Sequence, residues 1–474
     1  MEPEIDLLAH ERGSVVAPAG CGKTQLITDA LLRSKFDKPI LVLTHTNAGV
    51  NALRARLQLQ GVPSKAYRLS TIDGWAMRLI SMFPLRSKTD PKILQLLNPK
   101  TDYPSIREAA CKLLASGHLY EPLKATYSRL LVDEYQDCSL PQHAIVSNAS
   151  TVLPTCVLGD PMQAIFGFGG VQLVNWRNDV RIQFQHIGIL ETPWRWRNAG
   201  AEQLGQWLLT VRGALKAGMA LDLSATPDEV KWIELKPATA IQQRLIAAQT
   251  RSNRIDGGVL IIGDSMNPQG QRNIASQTPG ALAIEAVDLK DLTVFGKKFD
   301  PAAAGALELL VNFAGDLMTN AKVPTLLKRV KSLLNGTARR QASDTETAAI
   351  CFCQTPSHKN AATLLRQLSE APGVRTYRPA VLYSCIRALR HAAEGIMTFG
   401  EATLQAREQY RQMGRNLPKR AVGSTLLLKG LEADVVVILY PEKMDANHLY
   451  VALTRGARQI VICSEKRILQ PRPK

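Results

Sequence analysis

The stretch that decides the fold prediction is Ser14-Val-Val-Ala-Pro-Ala-Gly-Cys-Gly-Lys-Thr24. It begins as an apolar run, continues through small residues, and ends where a helix is expected to open at Thr24. Gly20 and Gly22 allow the backbone to approach phosphate oxygens closely, and a helix N-terminus adds a positive end. The strand–loop–helix order therefore predicts a phosphate-binding loop within an α/β fold.

This loop predicts ATP and Mg²⁺ as ligands. Lys23 is expected to be a solvated loop residue that reaches the β- and γ-phosphates, while the Thr24 hydroxyl holds Mg²⁺. A chance Gly-Lys-Thr is the alternative, and Ala17 stands where the general pattern has its first glycine. The residues assigned to the nucleotide are Ala19, Gly20, Cys21, Gly22, Lys23 and Thr24.

A second apolar run, Leu130-Leu-Val-Asp133-Glu134, ends in two adjacent carboxylates. Asp133 is predicted to ligate Mg²⁺, and Glu134 is predicted to orient and deprotonate the attacking water. The alternative is a pair of solvated loop acids. We favour the catalytic interpretation because both halves of one site occur in the same chain.

Apolar runs that end in small or polar residues predict buried parallel strands, whose loops emerge at the carboxyl ends. A first sheet is predicted from Ser14–Ala17, Pro39–Thr44, Ser128–Asp133 and Thr155–Gly159. A second is predicted from Gly258–Gly263, Thr347–Phe352, Ala433–Tyr440 and Gln459–Cys463. Helices are predicted at Ala304–Met318, Pro324–Leu334, Asn360–Ser369, Leu382–Ala393 and Glu401–Met413.

Composition limits the class of protein and of partner. Lysine and arginine outnumber aspartate and glutamate 58 to 41, and the net charge of +17 favours a polyanionic partner. No apolar run approaches the roughly 20 residues of a membrane span. Eight scattered cysteines favour a reducing, cytoplasmic location over a disulfide framework. The close pair Cys351 and Cys353 is expected on one face of a strand, as core rather than as metal ligands.

Motifs in the expected order carry a resemblance to a known family. Asp133-Glu-Tyr-Gln-Asp137 and Gly159-Asp-Pro-Met-Gln-Ala-Ile-Phe-Gly167 resemble motifs II and III of superfamily 1 helicases of the UvrD/Rep/PcrA type. The other similar motifs are Leu43-Thr-His-Thr-Asn47 (Ia), Ser70-Thr-Ile-Asp-Gly-Trp75 (Ib), Leu190-Glu-Thr-Pro-Trp-Arg195 (IV), Lys429-Gly-Leu-Glu432 (V) and Tyr450-Val-Ala-Leu-Thr-Arg455 (VI).

The resemblance implies two RecA-like P-loop motor domains with mostly helical insertions, in a 1A/1B/2A/2B-like arrangement. The first motor domain is predicted at residues 1–77 and 127–188, with a small helical insertion at 78–126. The second is predicted at 189–300 and 420–474, with a helical insertion at 301–419.

The resemblance also implies residue roles. Gln163 matches a glutamine that senses the γ-phosphate, and Arg195 and Arg455 match two arginine fingers, whose planar forks suit phosphoryl charge. Gly430 and Glu432 match positions near the nucleotide sugar. Thr44, Thr46, Asn47 and Thr71 match contacts to the DNA backbone, and Phe166 and Phe168 match aromatic residues on which bases stack.

Several residues at positions that contact DNA in this family differ from the family pattern, whereas the nucleotide-binding motifs largely follow it. His45 replaces a phenylalanine, Asp73 a histidine, and Pro193-Trp194 an Asn-Tyr pair. Leu426 replaces another histidine, and no adenine-reading glutamine precedes Lys23.

Two functions stay open. One is an ATP-dependent helicase or translocase that moves 3′ to 5′ on single-stranded or partly duplex DNA. The other is a regulatory, DNA-sensing ATPase subunit of a nuclease complex with little unwinding activity. The compact size and altered grip resemble the helicase-like component of the Gabija anti-phage system, which accompanies an OLD-family nuclease.

Overall fold

The computed structural model describes residues 5–167, 170–412 and 418–473. Its strands are β1 (Arg12–Val16), β2 (Ile40–Thr44), β3 (Tyr67–Thr71), β4 (Arg129–Val132), β5 (Thr155–Gly159), β6 (Gln185–Ile189), β7 (Leu221–Asp222), β8 (Val230–Glu234), β9 (Val259–Ile262), β10 (Leu282–Ala283), β11 (Met318–Thr319), β12 (Arg375–Thr376), β13 (Arg420–Gly423), β14 (Ala433–Ile438), β15 (Gly456–Ser464) and β16 (Ile468–Leu469).

The helices alternate with these strands. They are α1 (Lys23–Arg33), α2 (Asn47–Leu59), α3 (Ile72–Met82), α4 (Pro84–Ser87), α5 (Pro99–Ala115), α6 (Tyr120–Thr126), α7 (Leu140–Ser150), α8 (Arg181–Gln183), α9 (Trp194–Ala199), α10 (Glu202–Lys216), α11 (Ala240–Ala248), α12 (Pro268–Gln277), α13 (Lys290–Lys298), α14 (Ala306–Gly315), α15 (Val323–Leu334), α16 (Asp344–Gln354), α17 (His358–Glu370), α18 (Pro379–Ala393), α19 (Phe399–Gln412), α20 (Thr425–Leu428) and α21 (Ala446–Leu453).

The first sheet has the strand order β3-β2-β4-β5-β1-β6, and each of its pairings is parallel. Successive side chains of a strand point to opposite faces, so a strand with helices on both sides is apolar throughout. Strand β2 follows this rule: Leu41 and Leu43 join one buried cluster, and Ile40 and Val42 join another. The α/β prediction is confirmed for this part of the chain.

The second sheet has the order β10-β13-β9-β14-β15-β8. Strand β9 pairs in parallel with β13 and β14, and β13 pairs in parallel with β10. Two six-stranded sheets with helices between their strands confirm the predicted fold class of two RecA-like α/β sheets.

The prediction of a strand at Thr347–Phe352 is wrong. These residues lie inside helix α16, whose N-terminus carries a capping box formed by Ser343 and Glu346. A six-residue apolar run does not distinguish a strand from a buried helix segment. Here the N-terminal capping box favours the helix. Cys351 and Cys353 are therefore helical; Cys351 is exposed and Cys353 half-buried.

The chain divides into two compact units. The first contains Met1–Trp232, Pro441–Ile460 and Lys466–Lys474, and the second contains Ile233–Tyr440 and Val461–Glu465. The domain boundaries inferred from the motifs differ from these bounds and remain a prediction. Arg195 and Arg455 consequently both lie in the unit that contains the phosphate-binding loop.

Three negative findings hold for the described residues. None of the eight cysteines, all within the described ranges, forms a disulfide. No helix in those ranges is long and apolar enough to cross a membrane. The same ranges contain no group of three or more His, Cys, Asp or Glu side chains that could hold a metal ion by themselves.

Candidate nucleotide site and its connections

The phosphate-binding loop follows β1 at the carboxyl edge of the first sheet. The Ala17 N–H donates to the Gly159 oxygen over 2.9 Å, which continues the pairing of β1 with β5 into the loop. Gly20 and Gly22 have φ values of 69° and 90°, a left-handed conformation that favours glycine. Side chains also crowd this backbone, because a Cβ at Gly20 would lie 2.6 Å from the Trp196 ring.

Lys23 is not the solvated residue expected from the sequence. Its side chain is 12% exposed, and its ammonium lies 3.0 Å from Asp133 Oδ1 and 2.6 Å from Glu134 Oε1. Burial lowers the pKa of Lys23, but the two carboxylates outweigh burial and raise it above its ordinary value. The ammonium therefore stays charged between the two acids.

Asp133 and Glu134 follow directly after β4. Burial is the largest cause that raises the pKa of Asp133, and the neighbouring Glu134 adds to it, against the opposing Lys23. Glu134 has a φ of 56°, and its N–H donates to Asp133 Oδ1 over 2.9 Å. Left-handed backbone in a non-glycine residue is typical of functional sites.

The donor set suits Mg²⁺. The Thr24 hydroxyl, in the first turn of α1, and the Asp133 carboxylate are oxygen ligands, and Mg²⁺ usually takes one or two carboxylates together with waters and phosphate oxygens. These two residues would hold the ion, which would supply charge stabilisation to a bound triphosphate. The cluster therefore fits the predicted nucleotide and metal.

Gln136 connects the acidic pair to the next strand. Its Nε2 donates to Glu134 Oε2 over 2.5 Å, and its Oε1 accepts the Asp160 N–H over 3.1 Å. Gln136 is 1% exposed, so both ends of its amide are fixed by protein partners. The side chain of Glu134 is thus held on one oxygen by Lys23 and on the other by Gln136.

Asp160 anchors the turn that contains Gln163. It is fully buried, and Arg212 of α10 donates Nη2 and Nε to its Oδ1 over 2.7 and 3.1 Å. Gln163 Nε2 donates to Asp160 Oδ2 over 3.2 Å. Arg212 lies outside every sequence motif, so its contact with Asp160 could not be predicted from the residues around it in the chain.

Arg195 lies against the phosphate-binding loop. Its N–H donates to the Gly20 oxygen over 3.0 Å, and its Nη1 donates to the Thr454 oxygen over 2.7 Å. Arg455 is 3% exposed, and its Nε and Nη2 donate to Val451 O and Thr454 Oγ1 over 2.9 and 3.2 Å. The two predicted fingers therefore both contact Thr454.

Helix α21 contacts both the phosphate-binding loop and the turn that contains Gln163. The Tyr450 hydroxyl accepts the Ala19 N–H over 3.2 Å, and Tyr450 is 1% exposed. Asn447, one turn earlier, donates to the Pro161 and Ala164 oxygens. Neither contact was predicted, because the sequence gives no signal for a bond between segments so far apart.

The predicted nucleic-acid residues that the structure describes lie at the carboxyl ends of β2 and β3 or in the segments that follow β2 and β5. Thr46 and Thr71 cap α2 and α3, accepting the Gly49 and Gly74 N–H groups over 3.0 and 2.9 Å. Phe166 is half-buried, and its ring lies 5.6 Å from that of His45, at 42°. Thr44 is buried, whereas Asn47 is exposed. Phe168 lies outside the described residues.

Asp73, one of the departures from the family pattern, has a structural partner. Both of its oxygens accept from Arg107 of α5 over 2.7 Å, and its Oδ2 also accepts from Gln142 over 3.1 Å. It therefore ties α3 to α5 and α7. Gly430 and Glu432 lie in the second unit, where Gly430 has a φ of 81° and Glu432 is exposed.

Comparison with known proteins agrees with the motifs. Residues 92–180, which include Asp133, Glu134 and Gln163, match the UvrD/REP helicase N-terminal domain. The chain is thus similar to helicases of that type over this segment. A solved structure that it resembles is the Pif1 helicase from Candida albicans, with 12% identity, 97% of this chain and 92% of that chain covered, and a TM-score of 0.39. No curated protein sequence matches the chain significantly.

Proposed function

We propose that the protein is an ATP-dependent DNA helicase or translocase that hydrolyses ATP to move 3′ to 5′ along single-stranded DNA. The observation that carries the proposal is the hydrogen-bonded path from Lys23 and Glu134 through Gln136 and Asp160 to Gln163. A path of this kind gives the hydrolytic residues a fixed connection to the turn that precedes Phe166.

The strand order supports a nucleic-acid surface beside the nucleotide site. In the order β3-β2-β4-β5-β1, the loops after β3 and β2 lie on one side of Asp133, and the phosphate-binding loop lies on the other. Helices α2 and α3 both begin at this carboxyl edge, and helix N-termini favour phosphate groups. The net charge of +17 adds a general attraction to polyanions.

A second candidate is a regulatory, DNA-sensing ATPase subunit of a nuclease complex. Two observations favour it: Asp73 is hydrogen-bonded to Arg107, and Thr44 is buried. Neither side chain is therefore available to contact a DNA strand. An anti-phage role beside an OLD-family nuclease would fit this candidate. It predicts DNA-stimulated ATP hydrolysis without displacement of a strand.

We expect Glu134→Gln to bind ATP but to slow its hydrolysis by about 10²- to 10⁴-fold. The carboxylate that activates water is lost, and an amide offers one acceptor where Lys23 and Gln136 both donate. Turnover, binding of a fluorescent ATP analogue, and displacement of a strand from a duplex with a 3′ overhang are measured together.

The matched control for this variant is Glu121→Gln, which changes an exposed glutamate of α6. Wild-type protein and the control should displace the strand with ATP, and Glu134→Gln should not. Wild-type hydrolysis without displacement would favour the regulatory ATPase. Near-normal hydrolysis by Glu134→Gln would assign the base to another residue.

We expect affinity for single-stranded DNA to fall steeply with salt and to vary little with sequence. Each phosphate contact contributes about 0.7 to the slope of log affinity against log salt concentration, and stacking tolerates any base. Titration of fluorescent oligonucleotides of different sequence at several salt concentrations measures both properties. A flat salt response would show that the positive charge lies away from the binding surface.

A further inference from the structure

Asn447 donates two hydrogen bonds from one side-chain nitrogen. It lies in the first turn of α21, is 6% exposed, and donates its Nδ2 to Pro161 O and to Ala164 O, over 3.1 Å each. These oxygens flank Gln163 on both sides. One side-chain amide therefore fixes both ends of the turn that presents the predicted γ-phosphate sensor.

The two carbonyl oxygens need a group that supplies two donors. A primary amide supplies two N–H groups from a single nitrogen, whereas a hydroxyl supplies one and a carboxylate none. A carbonyl oxygen that is buried without a donor costs free energy, so the contact is not interchangeable with an apolar one. Asp160 also contacts this turn, because its Oδ2 accepts from Gln163.

The helix that carries Asn447 also contacts the nucleotide site. Tyr450 accepts the Ala19 N–H of the phosphate-binding loop, and Arg455 lies two residues after the end of the helix. A helix of this length spans about 12 Å and is stiff over that distance. Displacement of the turn at one end of α21 is therefore transmitted to the loop contact and to the arginine.

We propose that Asn447 is a positioning residue that couples occupancy of the single-strand site to ATP hydrolysis. The inference rests on the proposed function, because it requires that DNA stimulates turnover. The turn that contains Gln163 continues into Phe166. Through its two hydrogen bonds, Asn447 causes this turn and helix α21 to move together. Without the Asn447 amide, the protein still binds DNA and ATP, but bound DNA no longer accelerates ATP hydrolysis.

The test compares wild-type protein with Asn447→Asp and Asn447→Ala. Asn447→Asp keeps the shape and turns two donors into acceptors that face carbonyl oxygens; Asn447→Ala removes the group without adding charge. ATP turnover is measured without DNA and with saturating poly(dT), together with the affinities for a fluorescent ATP analogue and for poly(dT), and with the melting temperature.

We expect both variants to lose about tenfold in the ratio of DNA-stimulated to basal turnover, with affinities for the nucleotide and poly(dT) within about threefold of wild type. A purely structural role would lower both rates in proportion and leave the ratio unchanged, and that result would overturn the inference. The matched control is Asn148→Asp, since the Asn148 side chain donates to the Ala144 oxygen of its own helix over 2.9 Å.

Failure of the proposed function gives a different result. A wild-type protein whose turnover does not respond to poly(dT) overturns both the translocase proposal and the coupling role. A wild-type protein that is stimulated, with both Asn447 variants stimulated to the same ratio, overturns the coupling role alone.

Discussion

Lys23→Ala is expected to reduce ATP turnover by on the order of 10³-fold or more while the protein still folds. Lys23 Nζ lies 3.0 Å from Asp133 Oδ1 and 2.6 Å from Glu134 Oε1, and it is predicted to reach the β- and γ-phosphates. Its removal takes away charge stabilisation of the phosphates and also leaves Asp133 and Glu134 facing each other. The measurement is steady-state turnover with a melting curve of the same preparation.

The variant should also be less stable at neutral pH, by about 3 kcal/mol in the free energy of unfolding. That figure is at the low end for a broken buried ion pair, because the Glu134 side chain is 35% exposed and partly solvated. A variant that is inactive because it is unfolded would count against the phosphate-binding role. The control is Lys65→Ala, which changes an exposed lysine.

The sign of the pH dependence follows from the pKa shifts. The pKa of Lys23 is raised above 10.5, so the stability that it contributes is fully present below that pH and is lost only as pH rises through the folded pKa. Asp133, whose pKa is raised, is easier to protonate in the folded protein than in the unfolded chain. Because Lys23 opposes this rise, its removal raises the pKa of Asp133 further, and at pH 5 protonation of Asp133 relieves part of the cost of the lost ammonium. The difference in unfolding free energy between wild type and Lys23→Ala should therefore be larger at pH 8 than at pH 5.

Seven of the eight interior strands of the two described six-stranded sheets could be predicted from the sequence, whereas the interior strand β13 and the edge strands β3, β6, β8 and β10 could not. Strands β2 and β9 are buried along their full length, so an apolar run marks them. Strands β3 and β6 are at the two edges of the first sheet and expose or half-expose most of their residues. An edge strand is covered less, which leaves no apolar run to find.

The candidate site shows the same division. Lys23, Asp133 and Glu134 are marked by local motifs, since strand ends and a glycine loop must provide them at fixed positions. Arg212 and Asn447 are not marked, because their partners lie 52 and 283 to 286 residues away in the chain. Contacts of that kind follow from the packing of helices against the sheet and leave no pattern in the neighbouring sequence.

Arg195→Ala and Arg455→Ala are each expected to slow ATP turnover by on the order of 10³-fold and to weaken nucleotide binding much less. The loop and the predicted Mg²⁺ ligands belong to other segments, so ground-state binding should survive. Arg195 contacts Gly20 through its backbone and the Thr454 oxygen through its guanidinium, and the guanidinium of Arg455 contacts Val451 and Thr454. If the two arginines act as fingers, each guanidinium has to exchange these bonds for a phosphate during turnover.

A lysine substitution tests whether Arg455 acts on the phosphate or has only a structural role. Arg455→Lys keeps the charge but loses the planar fork, so it should remain slow if Arg455 stabilises phosphoryl charge. The control is Arg458→Ala, an exposed arginine on β15. Turnover, nucleotide affinity and melting temperature are measured for all four variants. Normal turnover by Arg455→Ala, with Arg195→Ala inactive, would show that Arg455 has a structural role and that Arg195 alone acts on the γ-phosphate.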